Sequence, residues 1–211
     1  MSRTRALKFL AIAAIAGLSL IGATAALADT VEARFAALGG DNQNRQYTYP
    51  YYLTIDNGSQ IATLCDDFYH QSNVGDTWQA NITQLNRGNL HHTRFNNQTK
   101  YEEAGYLLMQ INNTNEIEWG NINFAIWKIF SPSVNMGGTP PGSLGPKYWY
   151  DLATTTNLSN VDFSKIEILT PVKNHADTGD QEFLFLSPEP GTLMLIGSGL
   201  IGVFSQRKRF A

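Results

Sequence analysis

The sequence predicts an α+β fold, in which antiparallel strands pack against two to three helices within a single globular domain. Short runs of alternating β-branched or aromatic residues indicate strands, and two later segments with apolar residues at helical spacing indicate helices. The chain of 211 residues contains one cysteine, so an internal disulfide framework is excluded. The domain must therefore be stabilised by packing, to which four tryptophans contribute.

The predicted strands form two groups, one before and one after the helices. The first group begins with a hairpin, because the turn sequence Asp-Asn-Gly-Ser at 56–59 separates two strand-like runs. A third strand follows, and residues 86–98 are polar and predict a loop. The predicted strands are Tyr47–Ile55, Gln60–Cys65, Thr77–Leu85, Lys165–Val172 and Glu182–Leu186.

Between these groups the spacing of apolar residues predicts helices. Thr99 and Glu102 fit a capping box, in which each side chain accepts a hydrogen bond from the other residue's backbone amide. A second helix is predicted over Trp119–Phe130 and ends before Pro132, and Lys147–Thr155 predicts a short third helix. The residues that share one face of the first helix are Tyr101, Ala104, Leu107, Leu108 and Ile111.

The N-terminus has the pattern of a secretory signal peptide. Three basic residues precede an apolar run that extends from Phe9 to Leu20. Ala26 and Ala28 then supply the small residues that signal peptidase reads, which predicts cleavage before Asp29. Residues 1–28 are therefore predicted to be a signal peptide, and residues 29–187 an exported globular domain.

The C-terminus carries a second signal. Pro188, Glu189 and Pro190 precede the apolar segment 191–204, and the chain then ends with a basic group. This arrangement resembles the PEP-CTERM sorting signal of bacterial exported proteins. The resemblance implies that residues 188–211 are recognised by an exosortase-type protease, and that the bacterium also makes extracellular polysaccharide. The basic group consists of Arg207, Lys208 and Arg209.

The positive charges at both ends predict the topology of the precursor. Basic flanks remain in the cytoplasm, so residues 29–187 would lie on the far side of the inner membrane. As a helix, the segment 191–204 would be about 21 Å long, against roughly 30 Å of hydrocarbon. So short a segment favours a transient membrane helix that is cut away after sorting. We therefore expect a cell-envelope, surface or secreted protein.

Charge and motif content restrict the partners of the exported domain. Residues 29–187 are more acidic than the whole chain, whose formal net charge is −3. Lysine and arginine do not cluster, so a nucleic-acid partner is not expected. Zinc-site spacing and phosphate-binding loops are missing, so we expect no cofactor and no resident metal. Two acidic segments, 66–76 and 177–182, could bind a hard cation or could simply be solvated turns.

Cys65 and Asn123 form the most suggestive pair of residues. The sequence Leu-Cys-Asp-Asp-Phe at 64–68 and the later sequence Ile-Asn-Phe-Ala-Ile-Trp at 122–127 resemble the two motifs of bacterial thioester adhesin domains. The resemblance covers about residues 47–130 and implies a cysteine joined to a glutamine side chain with loss of ammonia. Here Asn123 replaces that glutamine and is one methylene shorter, which favours a similar scaffold without the bond.

The same residues have simpler interpretations. Cys65 can be a small buried apolar residue, and the helix around Asn123 can present an ordinary core face. A Cys65–His pair would suit a cysteine hydrolase, and the aromatic cluster at 148–150 could stack on sugars. No catalytic motif surrounds these residues, so no enzyme activity is expected.

The expected function is that of an exported, sorted surface protein without turnover. It would act as an interaction or structural component of a matrix or biofilm. Its expected partners are signal peptidase, an exosortase-type protease, the membrane during sorting, and extracellular polysaccharide or surface proteins. A covalent adhesin that uses Cys65 and Asn123, and a carbohydrate-active or cysteine hydrolase, are the alternatives.

Overall fold

The computed structural model describes residues 30–40, 42–172 and 179–187, without the side chain of Arg87. The predicted cleavage residues Ala26, Ala28 and Asp29 lie outside this part of the chain. The sorting residues from Pro188 onward, including the basic group Arg207–Arg209, also lie outside it. None of the helices within the described ranges has the length and apolarity needed to cross a bilayer.

Six strands form a closed antiparallel barrel in the order β1-β4-β5-β8-β7-β6, and β6 pairs back with β1. Closure leaves none of these six strands with an unpaired edge. A small hairpin, β2 with β3, lies outside the barrel. The strands are β1 Thr30–Leu38, β2 Asn42–Gln43, β3 Gln46–Tyr47, β4 Tyr51–Ile55, β5 Gln60–Cys65, β6 Thr77–Gln84, β7 Ile166–Pro171 and β8 Phe183–Leu186.

The predicted hairpin is confirmed as β4 and β5, which pair antiparallel with Thr54 opposite Gln60. Asp56 and Asn57 both have positive φ angles, of 48° and 57°. Asp and Asn tolerate this left-handed conformation better than most residues, and tight hairpin turns require it. The predicted strand over Tyr47–Ile55 is too long, because Pro50 has no N–H to donate and β4 begins only after it.

Three helices lie between β6 and β7: α1 Gln98–Gln110, α2 Glu116–Phe130 and α3 Pro146–Thr155. Short 3₁₀ turns precede α1 at Leu85–Arg87 and follow it at Ile111–Asn113. The predicted number and order of helices are therefore confirmed. The third helix begins with proline at its first position, where the missing N–H costs no hydrogen bond.

The predicted capping box is wrong. Asn97 caps α1, because its Oδ1 accepts a hydrogen bond from the Lys100 amide at 3.1 Å. Thr99 already lies inside the helix, and Glu102 accepts a hydrogen bond from Gln98 Nε2 at 2.8 Å instead. Asparagine is a strong capping residue, so the helix begins one residue before Thr99.

The described residues have two main apolar cores. The first, which we call the barrel interior, is enclosed by the strands and includes Phe35, Leu53, Cys65, Trp78 and Phe183. The second lies between the barrel and the three helices, and it contains the whole predicted apolar face of α1. Successive residues of β5 face opposite sides, so Leu64 packs under the helices and Cys65 packs inside the barrel.

Candidate functional site at the end of strand β5

Cys65 and Asn123 are in contact, and both are fully buried. Cys65 is the last residue of β5, and Asn123 lies in the middle of α2. The Asn123 Nδ2 donates to the Cys65 carbonyl oxygen at 2.8 Å, and its Oδ1 accepts a hydrogen bond from the Tyr49 amide at 2.9 Å. The carboxamide thus ties α2 to the ends of two barrel segments through main-chain groups.

The Cys65 thiol faces the barrel interior and donates to the Asp67 carbonyl oxygen at 3.3 Å. Burial raises its pKa well above the ordinary value, and the neighbouring carboxyl groups of Asp66 and Asp67 raise it further. Trp127 lies near enough to lower the thiol pKa slightly, but its indole N–H makes no hydrogen bond of normal geometry. The thiol therefore remains protonated at neutral pH, whereas a cysteine nucleophile acts as the thiolate.

Asp66 and Glu182 form a buried carboxyl pair immediately beyond Cys65. Burial raises the pKa of Asp66 well above its ordinary value, and the charge of Glu182 adds to the effect. Neither Asp66 oxygen receives a hydrogen bond from the N–H and O–H donors around it. Because two adjacent buried carboxylates do not both remain ionised, the raised pKa of Asp66 favours its protonated form.

Glu182 is the carboxylate of this pair. It accepts hydrogen bonds from the Tyr101 hydroxyl at 2.5 Å, from the Arg94 amide at 2.8 Å and from the Thr170 hydroxyl. Burial raises the pKa of Glu182, but these three donors oppose the rise. Burial, with the charge of Glu182, also raises the pKa of Tyr101, which keeps its proton for donation.

Asp67 completes the cluster through an ion pair. Its carboxylate lies 2.8 Å from Arg94 Nε and 2.8 Å from His70 Nδ1. Arg94 also donates to the Asp180 carbonyl oxygen at 2.7 Å, which connects the loop before α1 to the segment before β8. We call this set the carboxyl junction, and its members are Asp66, Asp67, His70, Arg94, Tyr101, Thr170 and Glu182.

The carboxyl junction corrects one sequence expectation. Asp66, Asp67 and Glu182 belong to segments that were predicted to be solvated or cation-binding, but their side chains are buried, and those of Asp67 and Glu182 bond to other groups of the protein. Asp76 is apart from them and accepts from the Asn73 amide at 2.7 Å. Within the described ranges, no group of three or more potential ligands is arranged to hold a metal ion.

The aromatic cluster on α3 also differs from the sugar-stacking hypothesis. Trp149 is buried, and its indole N–H donates to Glu118 Oε2 at 2.6 Å. Tyr150 packs partly against the helical core, and only Tyr148 is exposed. Trp149 is therefore a core residue that also satisfies a buried carboxylate.

Sequence reasoning missed most of the carboxyl junction. Arg94 and Tyr101 lie near the start of α1, Glu182 lies 81 residues beyond Tyr101, and only Asp66 and Asp67 are adjacent in the sequence. Glu182 immediately precedes the short apolar strand β8, and nothing in this local pattern indicates that its carboxylate is buried. A pairing between positions 66 and 182 requires knowledge that β5 and β8 are neighbours.

The described part of the chain is thus a closed antiparallel barrel with a helical layer and a buried polar junction between them. Residues 188–209, which directly follow it, match the family model of the PEP-CTERM protein-sorting motif. The match contains the predicted residues Pro188, Glu189 and Pro190 and the basic group Arg207–Arg209.

The protein is therefore a substrate for sorting by exosortase, a membrane protease-like enzyme, and is exported to the cell envelope or surface. Searches of curated proteins and of solved structures found no match to the chain. The predicted likeness of residues 47–130 to a thioester adhesin domain has no support from these comparisons.

Proposed function

We propose that the exported domain acts without turnover, as an interaction or structural component of the extracellular matrix or biofilm. The observation that carries this proposal is the position of the sorting motif. The motif starts at Pro188, and the last barrel strand ends at Leu186. The barrel domain is thus the part of the chain that the sorting motif would direct to the cell envelope.

Both proposed processing sites lie just outside the barrel strands. Cleavage before Asp29 would leave β1 intact, because β1 begins at Thr30. Cleavage near Pro190 would leave β8 intact, and the Ser187 amide still donates to the Lys165 carbonyl oxygen at 2.8 Å. Removal of both signals is therefore compatible with a complete barrel.

The state of the candidate nucleophile supports a role without turnover. The Cys65 thiol is buried, and burial raises its pKa. His70, the nearest histidine along the sequence, bonds to the Asp67 carboxylate. A cysteine hydrolase instead requires an accessible thiolate next to its base.

The sorting part of the proposal is tested by intact-mass measurement of the native protein. We expect an N-terminus at Asp29 and a C-terminus near Pro190 in wild-type cells. Cells without the exosortase-type protease should retain the tail that includes Arg207–Arg209. A mature surface protein that still carries this tail would contradict processing.

The matrix role is tested separately with a deletion strain. Loss of the gene should weaken matrix cohesion or reduce attachment, and the wild-type gene should restore it. Unchanged matrix properties, with the protein correctly processed, would reject the matrix role and leave the sorting assignment intact.

One contact favours a second candidate function, a covalent adhesin. The Asn123 carboxamide already lies against the Cys65 carbonyl. In this candidate the Cys65 Sγ would attack the Asn123 carboxamide carbon, the C–N bond would break, and the thiol proton would leave with ammonia. The mature protein would then be lighter by one ammonia, whereas an unmodified mass excludes the bond.

A further inference from the structure

A solvent-open cleft of about 550 Å³ lies beside the end of β5. Its walls come from three parts of the chain: the β2–β3 hairpin, the segment just after β5, and α2 with the loop that follows it. The volume is within the range of about 300–1,000 Å³ that is typical of small-molecule sites. Among the described residues, this cleft joins one exposed aromatic ring, that of Tyr69, and two less exposed rings to uncharged polar side chains.

The aromatic part of the cleft consists of Phe68, Tyr69 and Phe124. Tyr69 is 62% exposed, although it lies beside another aromatic ring. Its ring lies 5.5 Å from Phe68, which in turn lies 5.2 Å from the buried Trp127. The Tyr69 hydroxyl also forms a hydrogen bond with Ser133 Oγ. The exposed ring is therefore held in position before any ligand arrives.

The polar part of the cleft is uncharged. Asn44, Gln46 and Asn135 contribute carboxamides, Ser133 contributes a hydroxyl, and none of the described residues that line the cleft is charged. Carboxamides and hydroxyls both donate and accept hydrogen bonds, which matches the hydroxyl groups of a sugar. An anionic ligand would instead call for arginine or lysine, since those side chains provide charge-assisted hydrogen bonds.

The hairpin wall of the cleft is fixed to the helix. Gln43 Nε2 donates to Asn121 Oδ1 at 3.0 Å. Gly120 allows this approach, because a Cβ at that position would lie 1.8 Å from Gln43 Oε1. On the opposite wall, a Cβ on Gly137 would lie 2.3 Å from Asn44 Nδ2, so the loop also packs closely on the hairpin. Fixed walls reduce the entropy lost on binding.

We propose that this cleft binds an uncharged carbohydrate, with Tyr69 as the stacking residue. This proposal rests on the matrix role proposed above and names its ligand class. An apolar ligand without hydrogen-bonding groups would leave the carboxamides without partners, which costs free energy. A sugar offers C–H groups to the aromatic rings and hydroxyls to the amides.

The test is a binding screen of the mature protein against arrayed oligosaccharides. The array contains neutral oligomers of glucose, galactose and mannose, and anionic oligomers of uronic acids. We expect binding to at least one neutral oligomer and weaker binding to the anionic ones. Isothermal titration then gives the affinity for the best neutral oligomer.

Three variants connect the binding to the cleft. Tyr69→Ala should weaken binding about tenfold or more, as expected for loss of an aromatic hot-spot residue. Tyr69→Phe should retain most of the affinity, since it keeps the ring. Tyr148→Ala is the matched control, because Tyr148 is also exposed but lies on α3 outside the cleft. Melting temperatures of all three should remain near the wild-type value.

Several results would overturn the proposal. These are the absence of neutral-oligomer binding, a preference for anionic oligomers, or equal losses in Tyr69→Ala and Tyr148→Ala. None of these results bears on the C-terminal mass or on the deletion phenotype. Failure of the carbohydrate proposal is thus distinguishable from failure of the sorting or matrix assignments.

Discussion

The barrel interior and the carboxyl junction meet at the end of β5. There Cys65 packs in the barrel interior, and the next residue, Asp66, belongs to the carboxyl junction. The barrel interior is stabilised by apolar contacts, such as the ring of Phe183 against Phe35 at 6.2 Å. The carboxyl groups of the carboxyl junction are also buried, but the charged groups among them depend on specific partners. Apolar packing depends on volume and shape, whereas buried charge depends on individual hydrogen bonds.

This difference affects how the barrel and the helices are joined. In the barrel interior, a substitution of similar volume leaves most contacts in place. In the carboxyl junction, loss of one acceptor leaves several buried donors unpaired at once. The junction also connects β5, β7, β8 and the loop before α1, so it fixes how the helices sit on the barrel.

The largest expected effect comes from Glu182→Ala. Its loss removes the acceptor of Tyr101, Thr170 and Arg94, so the free energy of unfolding should fall by about 3–5 kcal/mol. Urea unfolding measures this change. Glu182→Gln is the control and should cost less, because it keeps one carbonyl acceptor. Equal and small losses for both variants would show that the junction is not a stabilising network.

Leu53→Ala is the corresponding change in the barrel interior. Leu53 is fully buried, and its truncation should cost about 2–5 kcal/mol by the same measurement. Leu53→Met, which conserves volume, should cost less than about 1.5 kcal/mol. If Leu53→Met lowered the free energy of unfolding as much as Glu182→Gln, the two regions would not differ in their tolerance of a substitution of similar volume.

Asn123→Ala tests the contact between the helices and the end of β5. The Tyr49 amide and the Cys65 carbonyl would both lose a buried partner, so we expect a loss of about 1–3 kcal/mol. Asn112→Ala changes an exposed asparagine and should leave stability almost unchanged. A neutral effect of Asn123→Ala would mean that water replaces the carboxamide without cost.

The protonated carboxyl pair predicts how stability changes with pH. The folded state keeps a proton on Asp66 that the unfolded chain releases above about pH 4. Stability is therefore greatest at acidic pH and falls as pH rises toward the raised pKa of Asp66, by up to about 1.4 kcal/mol per pH unit.

The measurement is urea unfolding between pH 4.5 and pH 7, compared with Asp66→Asn. That variant has no proton to lose at this position, so its stability should change less steeply. Leu53→Val is the control, because it should lower stability without changing the slope. A wild-type slope equal to that of Asp66→Asn would refute the assignment of the proton.

The smallest expected effect is that of Cys65→Ala. The thiol acts as a small apolar group of the barrel interior, so its removal should cost only about 1 kcal/mol. In the wild type, a water-soluble aromatic disulfide should label Cys65 slowly in the folded state and rapidly in urea. Rapid labelling of folded protein would contradict its burial, and failure to label the unfolded chain would favour the covalent candidate.

Local patterns predicted the separate elements well. Alternation identified the β4–β5 hairpin, and the 3.6-residue spacing identified α1 and α2, since both depend on neighbouring residues. The predicted ends of the helices and strands were less accurate. The strand β1 was missed, and the cap of α1 was placed at Thr99 instead of Asn97. Several polar residues at a helix start compete to cap it, and backbone geometry selects among them.

The candidate site could also be predicted only in part from the sequence. A resemblance paired Cys65 with Asn123, and in the structure the Asn123 carboxamide bonds to the main-chain carbonyl of Cys65 and not to its thiol, so the covalent pairing stays a prediction. The junction around Glu182 could not be inferred, because acidic residues near turns are usually solvated. The cleft at Tyr69 also needs three segments that are distant in sequence, so no single motif marks it.

The sequence alone determined that this protein is sorted, because a sorting motif is recognised as a linear segment and residues 188–209 match it. It also determined the α+β class and most elements, because periodicity is a local property. Only the tertiary structure decided that the strands close into a barrel, that Asp66 and Glu182 are buried close together, and that Tyr69 lines a cleft. Each of these depends on segments brought together by chain closure, which local sequence does not encode.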